Sequence, residues 1–501
     1  MSEYLSVENL SCIPLKSIPE LDYPEFVRGM TELLSVDHHH CLHYFGLPHA
    51  DGFRCIALVA DDRKQQIHIL SHFISGNTRI IPSLTPQIPA LHIFEREIHE
   101  QFGIVFEGHP WMKPVRFPFD RADLLSGMDE YPFYRIDSHD LHEVGVGPVH
   151  AGIIEPGHFR FICQGEKVLH LEIHLGYQHR GWEYLMLNKS LLNQQSVLAE
   201  SVAGDTAMGH AVAFSALVET FARTGVADSL QKERFIALEM ERIAMHIADT
   251  AALCTDTAYQ LGQVACEALR TLVINGLQLW SGNRFGRGLV RPGGTYYPLN
   301  RETASSLMKI LGEVEERYTT TADRIFSLPS VLDRFETIGQ LSKKQVSRIG
   351  AVGMAARMAG LKRDIRWSHP VGHYRHIAHE PVVLESGDVL ARALMRRMEV
   401  IQSLEMVKKV LHDHRETASS EPLAQVKMTP NSLGISLTEG WRGEICHTAI
   451  TDAQGRFTTY KVKDPSMHNW MALALAVRNQ EISDFPLCNK SFNLSYCGND
   501  L

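Results

Sequence analysis

The run HHHCLH at positions 38–43 concentrates imidazole nitrogens and a thiol, the donors that hold zinc. Adjacent histidines on a strand or loop point in different directions, and no second ligand cluster of clear spacing accompanies them, so they are read as surface histidines. Glu155 stands beside Pro156 and Gly157 in a turn; buried, its carboxyl could relay protons, while exposed it is an ordinary turn acid. His174, His179 and Arg180 form H-x-x-x-x-H-R-G, open both to an electrostatic role and to a structural network at a helix start. Glu239, Arg242 and His246 lie at i, i+3 and i+7 of an otherwise apolar helical stretch, where burial would make pairing obligatory. Structural pairing is preferred there over proton conduction. Asp364 and Arg366, with Arg442 and Glu444, are candidates of the same kind.

Sulfur is present but poorly arranged. Nine cysteines lie at 12, 41, 55, 163, 254, 266, 446, 488 and 497, and no two are spaced C-x-x-C. An odd, irregular set argues against a disulfide framework and for free thiols in a reducing compartment, Cys488 and Cys497 included. The glycines within 282–294 do not follow a strand into a phosphate-binding helix, so nothing points to direct NADH binding.

The elements that must position these groups change character along the chain. An α/β region extends to about residue 117, with strands expected at Arg54–Asp61 and Gln66–Leu70 and a short charged helix at Phe94–Phe102. A Pro-, Asp- and Arg-rich connector covers 118–146. A hairpin follows, with strands His158–Cys163 and Val168–Ile173 around the turn QGEK. Long amphipathic helices are expected at Gly209–Arg223, Lys232–Leu253, Gln263–Leu279 and Val389–Leu411. Strand character returns over Gly434–Lys461, and a last helix at His468–Arg478 leads into an irregular tail. The expected class is α+β, divided as 1–117, 118–146 and 147–501.

Composition narrows the functional classes. At 501 residues with 44% apolar content, the chain can build a sizeable core. A net charge of −9 gives no electrostatic reason to expect nucleic acid. Apolar runs are interrupted before the roughly 18–20 residues a spanning helix needs, and the start lacks a basic-then-apolar leader. Membrane attachment, if any, is therefore expected through partners, on the cytoplasmic face.

Two blocks carry a family resemblance. EREIHEQFGIVFEGHP (95–110) resembles the signature of the thirty-kilodalton subunit of respiratory complex I. From Gly147 onward the chain resembles the forty-nine-kilodalton subunit and the large subunits of energy-converting nickel–iron hydrogenases of the hydrogenase-4 and formate hydrogenlyase group. The segments that carry it are GPVHAGIIEPGHFRF (147–161), HLGYQHRGWE (174–183), GNRFGRGLVRPGG (282–294), RDIRWSHP (363–370), GDVLARALMRRME (387–399) and EGWRGE (439–444).

In those hydrogenases two C-x-x-C pairs supply four soft thiolates to a nickel–iron pair. The resemblance puts the corresponding positions at Ala203, Thr206, Ser495 and Gly498, none of which is a thiol. It also puts Glu155 at the mouth of the former site, and His179 and Arg180 beside a partner's iron–sulfur cluster, as candidate proton-relay and cluster-tuning groups. The quinone-binding tyrosine of complex I falls on Gly204, and its hairpin-turn histidine near Glu155, between His150 and His158. What the resemblance implies is a nickel-free large subunit with no cofactor of its own. It would dock a small iron–sulfur subunit like the twenty-kilodalton subunit of complex I, and membrane subunits of antiporter and anchor type. A quinone-reducing subunit and a pure scaffold are the alternatives.

Overall fold

The computed structural model describes residues 4–152, 154–414 and 421–501. Near the start, Asp22 caps the helix Tyr23–Leu34 by accepting the Glu25 N–H at 2.9 Å, with Pro24 in the first turn. Its residues Phe26, Met30 and Leu33 recur at helical spacing and pack on Tyr44, Cys55 and Leu70 of a sheet. That sheet runs Leu5–Val7, Gln66–Ser75, Gly52–Asp61, His39–His49 in spatial order, antiparallel throughout, and Glu20–Leu21 adds in parallel to Gln66–Ser75. Both expected strands are present, each longer than its apolar run.

The HHHCLH reading is corrected. The run enters the strand His39–His49, and His39, His40 and His43 are buried rather than on the surface. Register explains the pattern: His39 lies opposite Asp61 and His40 opposite Ala60 on Gly52–Asp61, so successive imidazoles face opposite sides of a sheet that is covered on both. The charged helix, His92–Phe102, is likewise buried on most of its surface. Its carboxylates serve as acceptors for loop backbone. Glu95 takes the Leu84 N–H at 2.7 Å, and Glu100 takes those of Val115, Arg116 and Phe117.

The expected hairpin forms from His158–Gln164 and Lys167–His174. A third strand, His142–Val146, adds along His158–Gln164, so the end of the supposed connector is regular structure. Five long helices follow: Ala207–Ala222, Asp228–Asp256, Gln260–Ser281, Arg301–Ile325 and Val389–His412. Met240, Ile243, Val273, Leu277, Leu307, Leu311, Val400 and Leu404 form their shared core. Each such side chain contributes on the order of 1.5–3 kcal/mol on burial. Asp228–Asp256 is enclosed on nearly every side, which is why its charged residues must find partners inside the protein.

Another sheet, in the order Phe457–Lys463, Glu444–Thr451, Ser432–Glu439, Cys12–Pro14, closes the helical part, with its last strand lent by residues 12–14. The last helix expected forms as Pro465–Ala476, and the tail after it, expected to be irregular, is helical at Phe485–Phe492 and Tyr496–Asp500, with Leu501 buried. Short helices of this kind lack the length for a periodic signal. Among the described residues no helix is long and apolar enough to cross a membrane.

Candidate functional site

Two loops far apart in sequence meet under the helical layer. Residues 203–206 lead into the helix Ala207–Ala222, and residues 495–498 form the start of Tyr496–Asp500. Arg442, from the turn between two strands, fastens them. Its guanidinium donates to both Asp205 carboxylate oxygens at 2.6 and 2.8 Å, to Thr206 Oγ1 at 3.1 Å and to the Asn493 carbonyl, and lies 3.9 Å over the Trp441 ring. The Cys497 thiol lies 3.4 Å from the Ser495 hydroxyl. Burial pushes that thiol up to about 11, and the Glu155 carboxylate beside it adds to the effect.

The four positions matched to metal ligands are thus neighbours in space, and each now has another occupation. Ala203 is buried and apolar. Thr206 accepts from Arg442. Ser495 caps Tyr496–Asp500, its Oγ accepting the Gly498 N–H at 2.9 Å. Gly498 has no room for a side chain: a Cβ there would sit 2.7 Å from Asp464 Cγ and 2.9 Å from both its carboxylate oxygens.

The candidates Glu155, His179 and Arg180 converge on residues 496–501. Glu155 accepts the Tyr496 N–H at 3.3 Å. His179 donates through Nδ1 to the Asp500 carbonyl at 2.8 Å, and its Nε2 is buried without a hydrogen bond. Burial lowers its pKa, which favours the neutral ring. Arg180 donates to the carbonyls of Ser201, Val202 and Cys497 at 2.6, 3.0 and 3.2 Å, so it stitches the first loop to the second.

Asp464, which fills the space beside Gly498, begins a buried relay. His210 donates through Nε2 to Asp464 at 3.1 Å; the Nδ1 of His210 faces His447 Nε2 at 3.0 Å; His447 Nδ1 faces the Tyr460 hydroxyl at 2.8 Å. A carboxylate only accepts, so the tautomers follow in one direction: Tyr460 donates to His447, His447 to His210, His210 to Asp464. A proton delivered to Asp464 is replaced stepwise from Tyr460. Tyr460 lines a cavity of about 340 Å³ together with His179, Glu183, Lys461, Glu97 and Arg116. Lys461 bridges Glu97 at 2.5 Å and Glu183 at 2.7 Å there. The relay was not among the candidates legible in the sequence. Its members are 237 and 254 residues apart, and no local spacing announces them.

A second missed group is Glu241. It accepts the Met208 and Gly209 N–H groups at 2.8 and 3.1 Å, at the start of the helix that follows the first loop. Burial pushes its carboxyl up to about 8 against those two bonds. Such an acid, near its ordinary value when unfolded, destabilises the fold increasingly as pH rises from about 4.5 to about 8, because the unfolded chain ionises first. Glu241→Gln removes that titration, so its stability relative to the native chain is expected to rise between about pH 4.5 and 8, by a few kcal/mol at most. The rise starts from a deficit set by the one backbone N–H that its amide nitrogen cannot accept. Thermal midpoints of both proteins across that range check this; parallel pH profiles would contradict it.

Glu239, Arg242 and His246 are paired as expected, within a larger buried cluster. Arg242 contacts Glu239 at 3.2 Å, while His246 bonds Glu399 at 2.7 Å. Glu399 also accepts from Arg357 at 2.5 Å and Arg366 at 3.0 Å, and Arg366 pairs with Asp364 at 2.6 Å. Arg242 donates onward to the Gly440 and Glu439 carbonyls, close in sequence to Arg442. Burial and the nearby Asp364 carboxylate raise the Glu439 carboxyl. Glu444 belongs elsewhere, with His40 and Lys463.

Two family models match separate parts of the chain. Residues 18–124 match the model of the respiratory-chain NADH dehydrogenase 30 Kd subunit, and residues 262–500 that of the 49 Kd subunit. The chain fuses these two complex I families. Hydrogenase-4 component G of Escherichia coli (strain K12) is 25% identical over 449 residues, 86% of this chain and 78% of that protein. The carbon monoxide-induced hydrogenase of Rhodospirillum rubrum is 28% identical, over 70% of this chain and 97% of its own length. A protein of the NADH-quinone oxidoreductase of Phocaeicola vulgatus is 23% identical, over 81% of this chain and 83% of its own length. Among solved structures, one from the archaeal membrane-bound sulfane sulfur reductase shares the fold of this complex I-type chain, with a TM-score of 0.68 and 21% identity, covering 74% of this chain and 100% of that one.

Proposed function

We propose that this chain is a nickel-free large subunit of a membrane-associated redox complex related to hydrogenase-4 and complex I. In that complex it docks an iron–sulfur subunit and moves protons in step with electron arrival at that partner's cluster. The observation that carries the reading is the donor set at the junction of the two loops. A nickel–iron pair needs four soft thiolates, and Ala203, Thr206, Ser495 and Gly498 provide two oxygens and no sulfur. The residues do not fit that group. Similarity to hydrogenase and NADH-quinone oxidoreductase proteins supports the redox setting, and similarity to the membrane-bound hydrogenase subunit alpha of Pyrococcus furiosus supports the membrane association.

The chemistry left to this chain is proton handling. The Asp464–His210–His447–Tyr460 relay links the position of the lost metal to the cavity lined by His179 and Glu183. Electron arrival on the partner's cluster would draw a proton to Asp464, balancing charge in a low-dielectric interior. Gly204, where complex I has the tyrosine that holds quinone, disfavours the quinone-reducing alternative. Purified complex is expected to hold no stoichiometric nickel and to take up no hydrogen; finding both would overturn the proposal. His447→Phe, which keeps the ring volume and removes both nitrogens, is expected to lower proton uptake on reduction at least about tenfold while the complex still assembles. Unchanged uptake in an assembled complex would favour a scaffold role.

A further inference from the structure

We propose that the chain binds one Zn²⁺ ion between His38, His39, Asp61 and His68, at one end of the N-terminal sheet. Three strands bring the residues together. His39 opens the strand His39–His49 opposite Asp61, the last residue of Gly52–Asp61, and His68 lies on the adjoining strand Gln66–Ser75. His38 precedes His39 in the turn after the first helix. Ligand atoms of His38, His39 and Asp61 all lie within 4.8 Å of one another. From the Asp61 carboxylate, His39 Nε2 is 3.2 Å away, His38 Nε2 3.5 Å and His68 Nε2 3.7 Å. A tetrahedral zinc with bonds of about 2.0–2.2 Å has ligand atoms about 3.4 Å apart, so His38, His39 and Asp61 are already near the required size. His68, outside that group of three, would close in on the Asp61 side to complete the set.

Hydrogen bonding calls for a cation at its centre. His39 Nδ1 is 2.8 Å from the Leu33 carbonyl, which only accepts, so this nitrogen carries the proton. In the neutral ring Nε2 is then a bare lone pair, and it faces Asp61 Oδ2, a second acceptor. The Asp61 side chain is fully buried, and Oδ2 takes part in no hydrogen bond; the Arg63 and Lys64 N–H groups both go to Oδ1, at 3.1 and 2.9 Å. A proton or a metal ion must occupy that gap. A divalent ion would use the lone pairs of all three imidazoles and the bare Asp61 oxygen together. Ser6 Oγ at 2.9 Å from His68 Nδ1, and Leu33 on His39, are the outer partners that orient zinc-bound imidazoles. The Lys64 ammonium, 3.6 Å from Asp61, comes from an exposed side chain that can swing away. Nitrogen donors with one carboxylate select zinc over calcium or magnesium.

The full-length chain, stripped with chelator and dialysed against micromolar Zn²⁺, is expected to retain about one zinc per chain. Substituted Co²⁺ should give the visible absorption of a tetrahedral ion without the near-ultraviolet band of a thiolate ligand. His38→Gln, at a side chain a quarter exposed, should fold normally and weaken zinc binding at least about tenfold. His68→Gln should do the same, and circular dichroism with thermal midpoints in chelator monitors folding of each. Zinc retained at wild-type affinity by both folded variants, no stoichiometric zinc in the native chain, or a thiolate band with cobalt would each overturn the site.

Discussion

Replacing Glu399 with leucine is expected to leave the chain unable to accumulate as folded protein. Glu399 is fully enclosed and accepts from Arg357, Arg366 and His246. Around it, Arg242, Arg357 and Arg366 carry three positive charges, and Glu239, Asp364 and Glu399 three negative ones. The set balances with Glu439 protonated, consistent with the raised pKa of that acid. Leucine has nearly the right volume but leaves three guanidinium groups facing two carboxylates, with Glu439 the one acid nearby able to ionise in response. Breaking a buried pair from one side costs about 3–5 kcal/mol. That is a large share of the roughly 5–15 kcal/mol that holds a protein folded. Soluble yield and thermal midpoint measure the effect, with Glu399→Gln as the milder partner that keeps shape and some hydrogen bonding. A leucine variant melting with the native chain would show that the cluster does not hold the helices together.

The second large effect is steric. Restoring thiols at Ala203, Thr206, Ser495 and Gly498 is expected not to rebuild a metal site, and Gly498→Cys alone should lower stability by about 1–3 kcal/mol, as overpacking of a rigid interior does. The Asp464 carboxylate that would collide with the new Cβ cannot simply turn aside. It accepts the Ser466 N–H at 2.8 Å as the cap of Pro465–Ala476 and the His210 proton at 3.1 Å. Gly498→Cys combined with Asp464→Ser, which keeps a capping oxygen on a shorter side chain, should recover part of the loss. Thermal midpoints of the single and double variants test this, alongside nickel content. A stable single variant, or nickel in the four-thiol chain, would mean that Asp464 moves freely.

Some of this is legible in the residues themselves. The long helices and the hairpin follow from periodicity, because an apolar stripe at 3.6-residue spacing or an alternation of two has few other ways to be buried. The absence of C-x-x-C is visible by inspection, and with the resemblance it argues against nickel before any coordinates are seen. The Glu239–Arg242 contact is readable because i, i+3 neighbours on a helix must be close.

What tertiary structure alone decided are the contacts that cross the chain. HHHCLH reads as a surface run because one-dimensional spacing cannot show that Asp61 and His68 arrive from the next two strands. The Asp464–His210–His447–Tyr460 relay and the Arg442 clasp join residues more than 200 apart, where spacing carries no signal. Even Gly498 reads only as a missing ligand until Asp464 is found filling the space beside it. Local pattern dictates which elements form, since their hydrogen bonds close within a few residues. Which polar groups share a buried space depends on how those elements pack, and the chemistry of this protein lies in such shared spaces.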